Sequence, residues 1–316
     1  MIEVSGLSKK YGDKTALEDV SFSVGEGEIV GLLGLNGAGK STTMNILAGY
    51  IGATSGAVRI AGLDILEQAR AVRALVGYLP EQPPLYGEMT VTEQLRFVHR
   101  LYGRRGDCAA NMERVMHMTG IFEVRGRLIR NLSKGYRQRV GIAQAILPRP
   151  KVLILDEPSV GLDPTQVVEM RALIREVAQD TTVILSSHIL SEVQAVCGRV
   201  LVLNRGRLIA DDTPGHLAEI MHGKRRVAVR VLGEEQAVRA ALESIEAVAS
   251  VTCAGHRELG TVDFVVEGAQ ERDVRVDVFE ALARAGLPLL CTYGSELSLE
   301  EVFLRLVESD AKGGTG

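Results

Sequence analysis

The sequence predicts two domains of unlike class: an α/β domain with a parallel sheet core, an antiparallel β annex and a helical insertion, then a smaller α+β domain of ferredoxin-like order. Three observations carry this. Short apolar runs at Val30–Leu33, Val152–Leu155 and Val183–Ser186 do not alternate and are bounded by turn residues, as strands covered on both faces do. Ile2–Val4 and Val20–Val24 instead alternate apolar and polar residues, the pattern of a half-exposed antiparallel sheet. Beyond residue 224 the pattern restarts. A chain of 316 residues is long enough for about two domains, and 46% hydrophobic with 24% charged residues suits a sizeable core.

Taken in chain order, the annex strands come first. The strand Val30–Leu33 then runs into Gly34-Leu35-Asn36-Gly37-Ala38-Gly39-Lys40-Ser41, and helical sequence follows over Thr42–Leu47. This is the phosphate-binding loop pattern in its strand–loop–helix context. Glycines let the backbone curl so that successive N–H groups point at a phosphate, and the helix N-terminus adds partial positive charge. Lys40 reaches the β- and γ-phosphates of such a ligand, and the Ser41 hydroxyl is a Mg²⁺ ligand.

Thr90–Glu123 breaks the strand–helix rhythm, carries helical periodicity and reads as a helical insertion. The next apolar strand, Lys151–Leu155, ends in Asp156-Glu157-Pro158. Carboxylates at the C-terminal end of a parallel strand face the ligand crevice. Asp156 suits Mg²⁺, and Glu157 suits a general base that polarises water.

Asp211–Gly215 reads as a turn, a helix over His216–Met221 follows, and His222-Gly223-Lys224 reads as a linker between domains 1–222 and 224–316. The second domain has strands Arg226–Val231, Val248–Ala254, Thr261–Val266 and Pro288–Tyr293, with helices Glu234–Ile245 and Glu271–Ala285. A last helix begins at Ser298, where Ser298 and Glu301 form a capping box.

Charge and hydropathy exclude several classes. The net charge of −4 gives no overall attraction to nucleic acid or anionic lipid. From Lys224 onward there are 11 basic and 16 acidic residues, a net −5, which disfavours nucleic-acid contact by the tail. No stretch approaches about 18 consecutive apolar residues, and the N-terminal MIEVSGLSKKYG does not have the form of a secretory signal. Cys108, Cys197, Cys253 and Cys291 are widely spaced, the usage of free thiols in a reducing compartment.

With the glycine loop and acidic strand end in place, residues 2–222 closely resemble the ABC-type ATPases. Asn131-Leu132-Ser133-Lys134-Gly135-Tyr136-Arg137-Gln138-Arg139 resembles the family's signature motif, commonly LSGGQ, and stands shortly before the acidic strand. Lys134 replaces the first glycine and Tyr136 the glutamine, while Ser133 and Gly135 are retained at the head of a helix that can meet a γ-phosphate. The resemblance further implies that Tyr11 stacks on adenine, that Ser159–Asp163 crosses between subunits, and that His188 is the switch histidine beside the γ-phosphate. The family's Mg²⁺-contacting glutamine falls in the run Val76–Gln82, where Glu81 takes the slot and Gln82 stands beside it.

The resemblance thus implies ATP and Mg²⁺ as ligands, and a nucleotide site made of Tyr11, the loop Gly34–Ser41, Thr42, Ser133 and Gly135. It places the metal on Ser41, Asp156 and Glu81, and catalysis on Glu157 and His188. It implies a head-to-tail homodimer, each chain supplying half of each site, docked on a separate permease at the cytoplasmic face of a membrane. The alternative is an ABC ATPase acting on ribosomes or DNA. Ribosome-acting members usually carry two nucleotide-binding domains, and DNA-acting members carry long insertions; this chain has neither. The tail is similar to the C-terminal extensions of ATPase subunits of ABC-2-type exporters.

Overall fold

The computed structural model describes residues 1–102, 108–221, 226–256, 258–269 and 273–294. The contacts divide them into a unit over Met1–Pro214 and a second unit beginning at Gly215. The linker expected at residues 222–224 lies outside the described residues. So do the last helix from Ser298 and the first residues of the helix expected from Glu271. The division by contacts falls eight residues before the domain boundary at residue 222 read from the sequence.

The first unit opens on a hairpin of β1 (Ile2–Tyr11) and β2 (Lys14–Val24). Both strands are longer than the alternating runs that announced them. Their outer halves are largely polar and bury only Leu7 and Leu17, so hydrophobic patterning does not mark them. Next come β3 (Ile29–Leu33), α1 (Lys40–Leu47), β4 (Ser55–Ile60), β5 (Leu63–Asp64), α2 (Ala69–Arg73) and β6 (Val76–Leu79). The annex sheet has the order β2-β1-β4-β5, antiparallel throughout. Ile2, Val4, Leu7 and Leu17 turn their side chains into the core, where they meet Val30 and Leu32.

The insertion is two helices, α3 (Val91–Leu101) and α4 (Cys108–Met118), and a 3₁₀ turn at Phe122–Val124. A reciprocal capping box starts α3: the Glu93 N–H donates to Thr90 Oγ1 at 3.3 Å, and the Thr90 N–H to Glu93 Oε2 at 2.8 Å. Then follow α5 (Lys134–Ile146), β7 (Val152–Asp156), α6 (Pro164–Val177), β8 (Thr182–Ser186), α7 (Leu190–Val196), β9 (Arg199–Asn204) and β10 (Arg207–Asp212).

The central sheet has the order β10-β9-β3-β8-β7-β6, parallel except for β10 at its edge. Two close approaches fix helices to it. A Cβ on Gly31 of β3 would lie 2.3 Å from Val193 of α7 and 3.1 Å from Cys197. One on Gly77 of β6 would lie 2.3 Å from the Ala145 carbonyl oxygen of α5.

The second unit contains α8 (Pro214–Met221, its first residue at the boundary), β11 (Arg226–Leu232), α9 (Glu235–Glu243), β12 (Val248–Gly255), β13 (Thr261–Gly268), α10 (Arg275–Arg284) and β14 (Leu289–Gly294). Its antiparallel sheet has the order β12-β13-β11-β14, the ferredoxin-like arrangement. Val229, Val231, Val238, Leu242, Phe264 and Leu282 form its core. Buried Asp263 holds Arg230 by two hydrogen bonds of 2.7 and 2.9 Å.

Candidate active site

Parallel pairing places the C-terminal ends of β3, β8 and β7 side by side. Leu32 pairs with Ser186, and Ser186 with Asp156, so the three strands end level. The segments that leave these ends therefore start side by side, at the usual ligand position in open α/β sheets.

From β3 leaves the glycine loop. Gly37 and Gly39 have φ of 81° and 108°, backbone that side chains rarely adopt. Gly39 also has no room for a Cβ, which would lie 2.6 Å from Leu17 and 2.9 Å from the Ala16 carbonyl oxygen. This left-handed residue starts α1 at Lys40, two positions earlier than the sequence pattern implied. Lys40 is buried. Its ammonium donates to the carbonyl oxygens of Gly34 at 2.7 Å and Leu35 at 3.4 Å. Burial pulls its pKa below the usual lysine range, against the opposite pull of Glu157 and Asp156.

From β7 leave Asp156 and Glu157. Asp156 is buried and accepts a hydrogen bond at Oδ1 from Ser186 Oγ; its Oδ2 has no hydrogen bond among the described residues. Glu157 has a φ of 50°. Its N–H donates to both the carbonyl and the Oγ of Ser186, at 3.2 and 3.0 Å. The Glu157 carboxylate lies between two functional groups, with Oε1 3.9 Å from Lys40 Nζ and Oε2 2.7 Å from His188 Nδ1. His188 leaves the end of β8 and is half exposed.

The structure therefore brings together Lys40, Asp156, Glu157 and His188. Ser41, on the first turn of α1, is exposed, as are Leu35 and Asn36 in the loop. Tyr11 lies at the end of β1 with half its surface exposed and the Lys9 ammonium 5.1 Å from its ring centre. Glu81 is exposed and makes none of the hydrogen bonds or ion pairs among the described residues.

Ser133 caps α5, accepting from the Tyr136 N–H at 3.3 Å. Gly135 is packed so that a Cβ would lie 2.6 Å from Gln166, and Lys134 lies against Gly161. These contacts tie the α5 start to the loop 159–163 and the first turn of α6. None of the described hydrogen bonds or ion pairs ties Ser133 or Gly135 to the Lys40–Glu157–His188 cluster.

Ser186 and Ser187 were not singled out in the sequence. The only signal was a pair of hydroxyl residues at the end of a buried strand, and it gains meaning once β7 is known to lie beside β8.

Ser41 and Asp156 offer hard oxygens at the crevice, a donor set that fits a small divalent cation such as Mg²⁺. The positive-φ glycines, with the N-terminus of α1, fit a phosphate chain.

Residues 17–160 match the family model described as ABC transporter. The linearmycin resistance ATP-binding protein LnrL of Bacillus subtilis (strain 168) is 31% identical over 308 residues, which cover 97% of this chain and 98% of that one. The bacitracin transport ATP-binding protein BcrA of Enterococcus faecalis is 30% identical over 317 residues, covering 97% and 96%. A solved ATP-binding subunit of an ABC transporter superimposes with a TM-score of 0.63 at 34% identity, covering 70% of this chain and 93% of that one.

Proposed function

Because this chain belongs to the ABC transporter family, we propose that it is the ATP-hydrolysing motor subunit of an exporter. The observation that carries the chemistry is the position of Glu157 between Lys40 and His188. Whole-chain similarity to proteins named for linearmycin resistance and bacitracin transport supports the exporter reading, because it extends through the second unit.

The mechanism follows from the residues at the crevice. ATP lays its β- and γ-phosphates in the Gly34–Ser41 loop, and the Lys40 ammonium exchanges its carbonyl partners for phosphate oxygens. Thr42, on the first turn of α1, completes the phosphate end of the site, and Tyr11 offers an exposed ring face to the base. Ser41 and Asp156 would hold Mg²⁺, with Glu81 as a further oxygen ligand; the cation would neutralise phosphate charge. Glu157 takes a proton from the attacking water, and His188 holds the Glu157 carboxylate and offers its ring to the γ-phosphate.

One chain holds half of each site. Ser133 and Gly135, at the head of α5, belong to the nucleotide of a second copy paired head to tail. A separate permease supplies the path and the motor docks peripherally on it; among the described residues no helix is long and apolar enough to cross a membrane.

The deciding experiment is Glu157→Gln. It keeps a hydrogen-bonding side chain but removes the base, so hydrolysis should fall by about 10²–10⁴ with nucleotide affinity retained. Size-exclusion chromatography should then show a dimer with ATP and a monomer without it. Normal turnover, with no ATP-dependent dimer, rejects the assignment.

A further inference from the structure

One buried carboxylate near the crevice has no role in the chemistry just described. Glu192 lies on the first turn of α7 and is 7% exposed. A single oxygen, Oε2, accepts hydrogen bonds from Ser159 Oγ at 2.8 Å and Ser187 Oγ at 3.2 Å. Ser159 begins the loop two residues after Glu157. Ser187 immediately precedes His188 and also accepts from the Ile189 N–H at 3.0 Å, which closes the turn into α7. One oxygen thus ties together the two segments whose next functional residues, Glu157 and His188, meet at 2.7 Å.

The bond is costly to keep without use. A buried carboxylate whose hydrogen bonds among the described residues come from two hydroxyl groups loses more hydration than a neutral side chain would. What it supplies is geometry: α7 is seated on β3 at Gly31, so Glu192 is anchored to the sheet rather than to either loop.

We propose that Glu192 is a positioning residue that couples the loop 159–163 to His188, so that displacement of that loop is transmitted to the Glu157–His188 contact. This rests on the reading of Glu157 and His188 as the hydrolytic pair. Loop 159–163 is also where Gly161 meets Lys134 of α5. The start of α5 and the histidine are therefore joined through Ser159 and Glu192 within one chain.

The test uses the full chain and measures ATPase kcat and KM together with affinity for a fluorescent ATP analogue. Glu192→Ala should lower kcat roughly 10- to 100-fold, and KM and analogue affinity should change by less than about threefold, the pattern of a lost transition-state arrangement. Glu192→Gln should restore most of kcat, because its amide oxygen can accept both hydroxyls. Ser187→Ala, which leaves the carboxylate in place, should lower kcat in the same direction and serves if Glu192→Ala does not fold. The sharpest readout is the cycle with His188→Ala: in that background Glu192→Ala should cost less than about threefold, since the two act through one contact. Full additivity, or a folded Glu192→Ala with wild-type kcat, overturns the proposal. Glu157→Gln runs alongside: if it hydrolyses ATP normally, the reading of the hydrolytic pair itself has failed, and that result is distinct from a silent Glu192.

Discussion

Glu157 stands with a φ of 50°, a conformation that costs a residue with a side chain on the order of 1–3 kcal/mol. Its N–H is held by Ser186 through two acceptors, and its carboxylate by Lys40 and His188. The sequence places a carboxylate after the strand but cannot show this turn, which aims the side chain back across the crevice. Glu81 is the opposite case, an exposed residue with no hydrogen bond or ion pair to fix it among the described residues. If it is the metal ligand of its loop, Glu81→Ala should slow hydrolysis more than it weakens ATP binding, because Lys40 and the loop amides carry binding. Glu81→Gln should stay active, since either side chain offers an oxygen. Gln82→Ala is the control. ATPase rate against Mg²⁺ concentration separates them: a crippled Gln82→Ala beside a normal Glu81→Ala would move the assignment to Gln82.

At the scale of elements, the site depends on how helices seat against strands. Gly31→Ala forces a Cβ to within 2.3 Å of Val193, so α7 must shift from β3. Overpacking of this kind costs about 1–3 kcal/mol, and Tm should fall by roughly 2–4 °C for each kcal/mol. Hydrolysis should fall further than stability alone explains, because His188 and Glu192 move with α7; an unchanged kcat in the folded variant would show that the seat is not needed. The capping box of α3 makes a pH-dependent prediction. The Thr90 backbone N–H and then its hydroxyl hold the Glu93 carboxyl below its ordinary pKa, with Arg96 assisting. A group depressed in the folded state stabilises above its unfolded pKa, and the effect is lost as pH falls through the folded value. The Tm gap between wild type and Glu93→Ala should therefore be present at neutral pH and close in acid. A gap that persists below the carboxylate range would rule the box out as its cause.

For the whole molecule, the proposed head-to-tail pairing can be tested directly, since none of the described hydrogen bonds or ion pairs joins Ser133 or Gly135 to the Lys40–Glu157–His188 cluster. Mixing Lys40→Ala chains with Ser133→Arg chains should restore part of the ATPase activity that each lacks alone, since one of the two sites in a mixed dimer is intact. No recovery, with mixed dimers demonstrated by differential tagging, would reject the head-to-tail arrangement. The glycine loop, the acids after β7, the helix cap at Ser133 and the split β-α-β-β-α-β order of the second unit were all legible in the sequence. Each is a local string whose turn, cap or periodicity is decided by residues a few positions away. The order β3-β8-β7 was not legible, because it pairs Leu32 with Ser186 and Ser186 with Asp156, partners up to about 150 residues apart in the chain. Nor could the sequence show that Ser159 and Ser187 share one oxygen of Glu192. Only the packed sheet decided these points, because strand neighbours are chosen by which faces bury together and how closely helices can approach, as at Gly31, and that choice is made by long-range contact rather than local pattern.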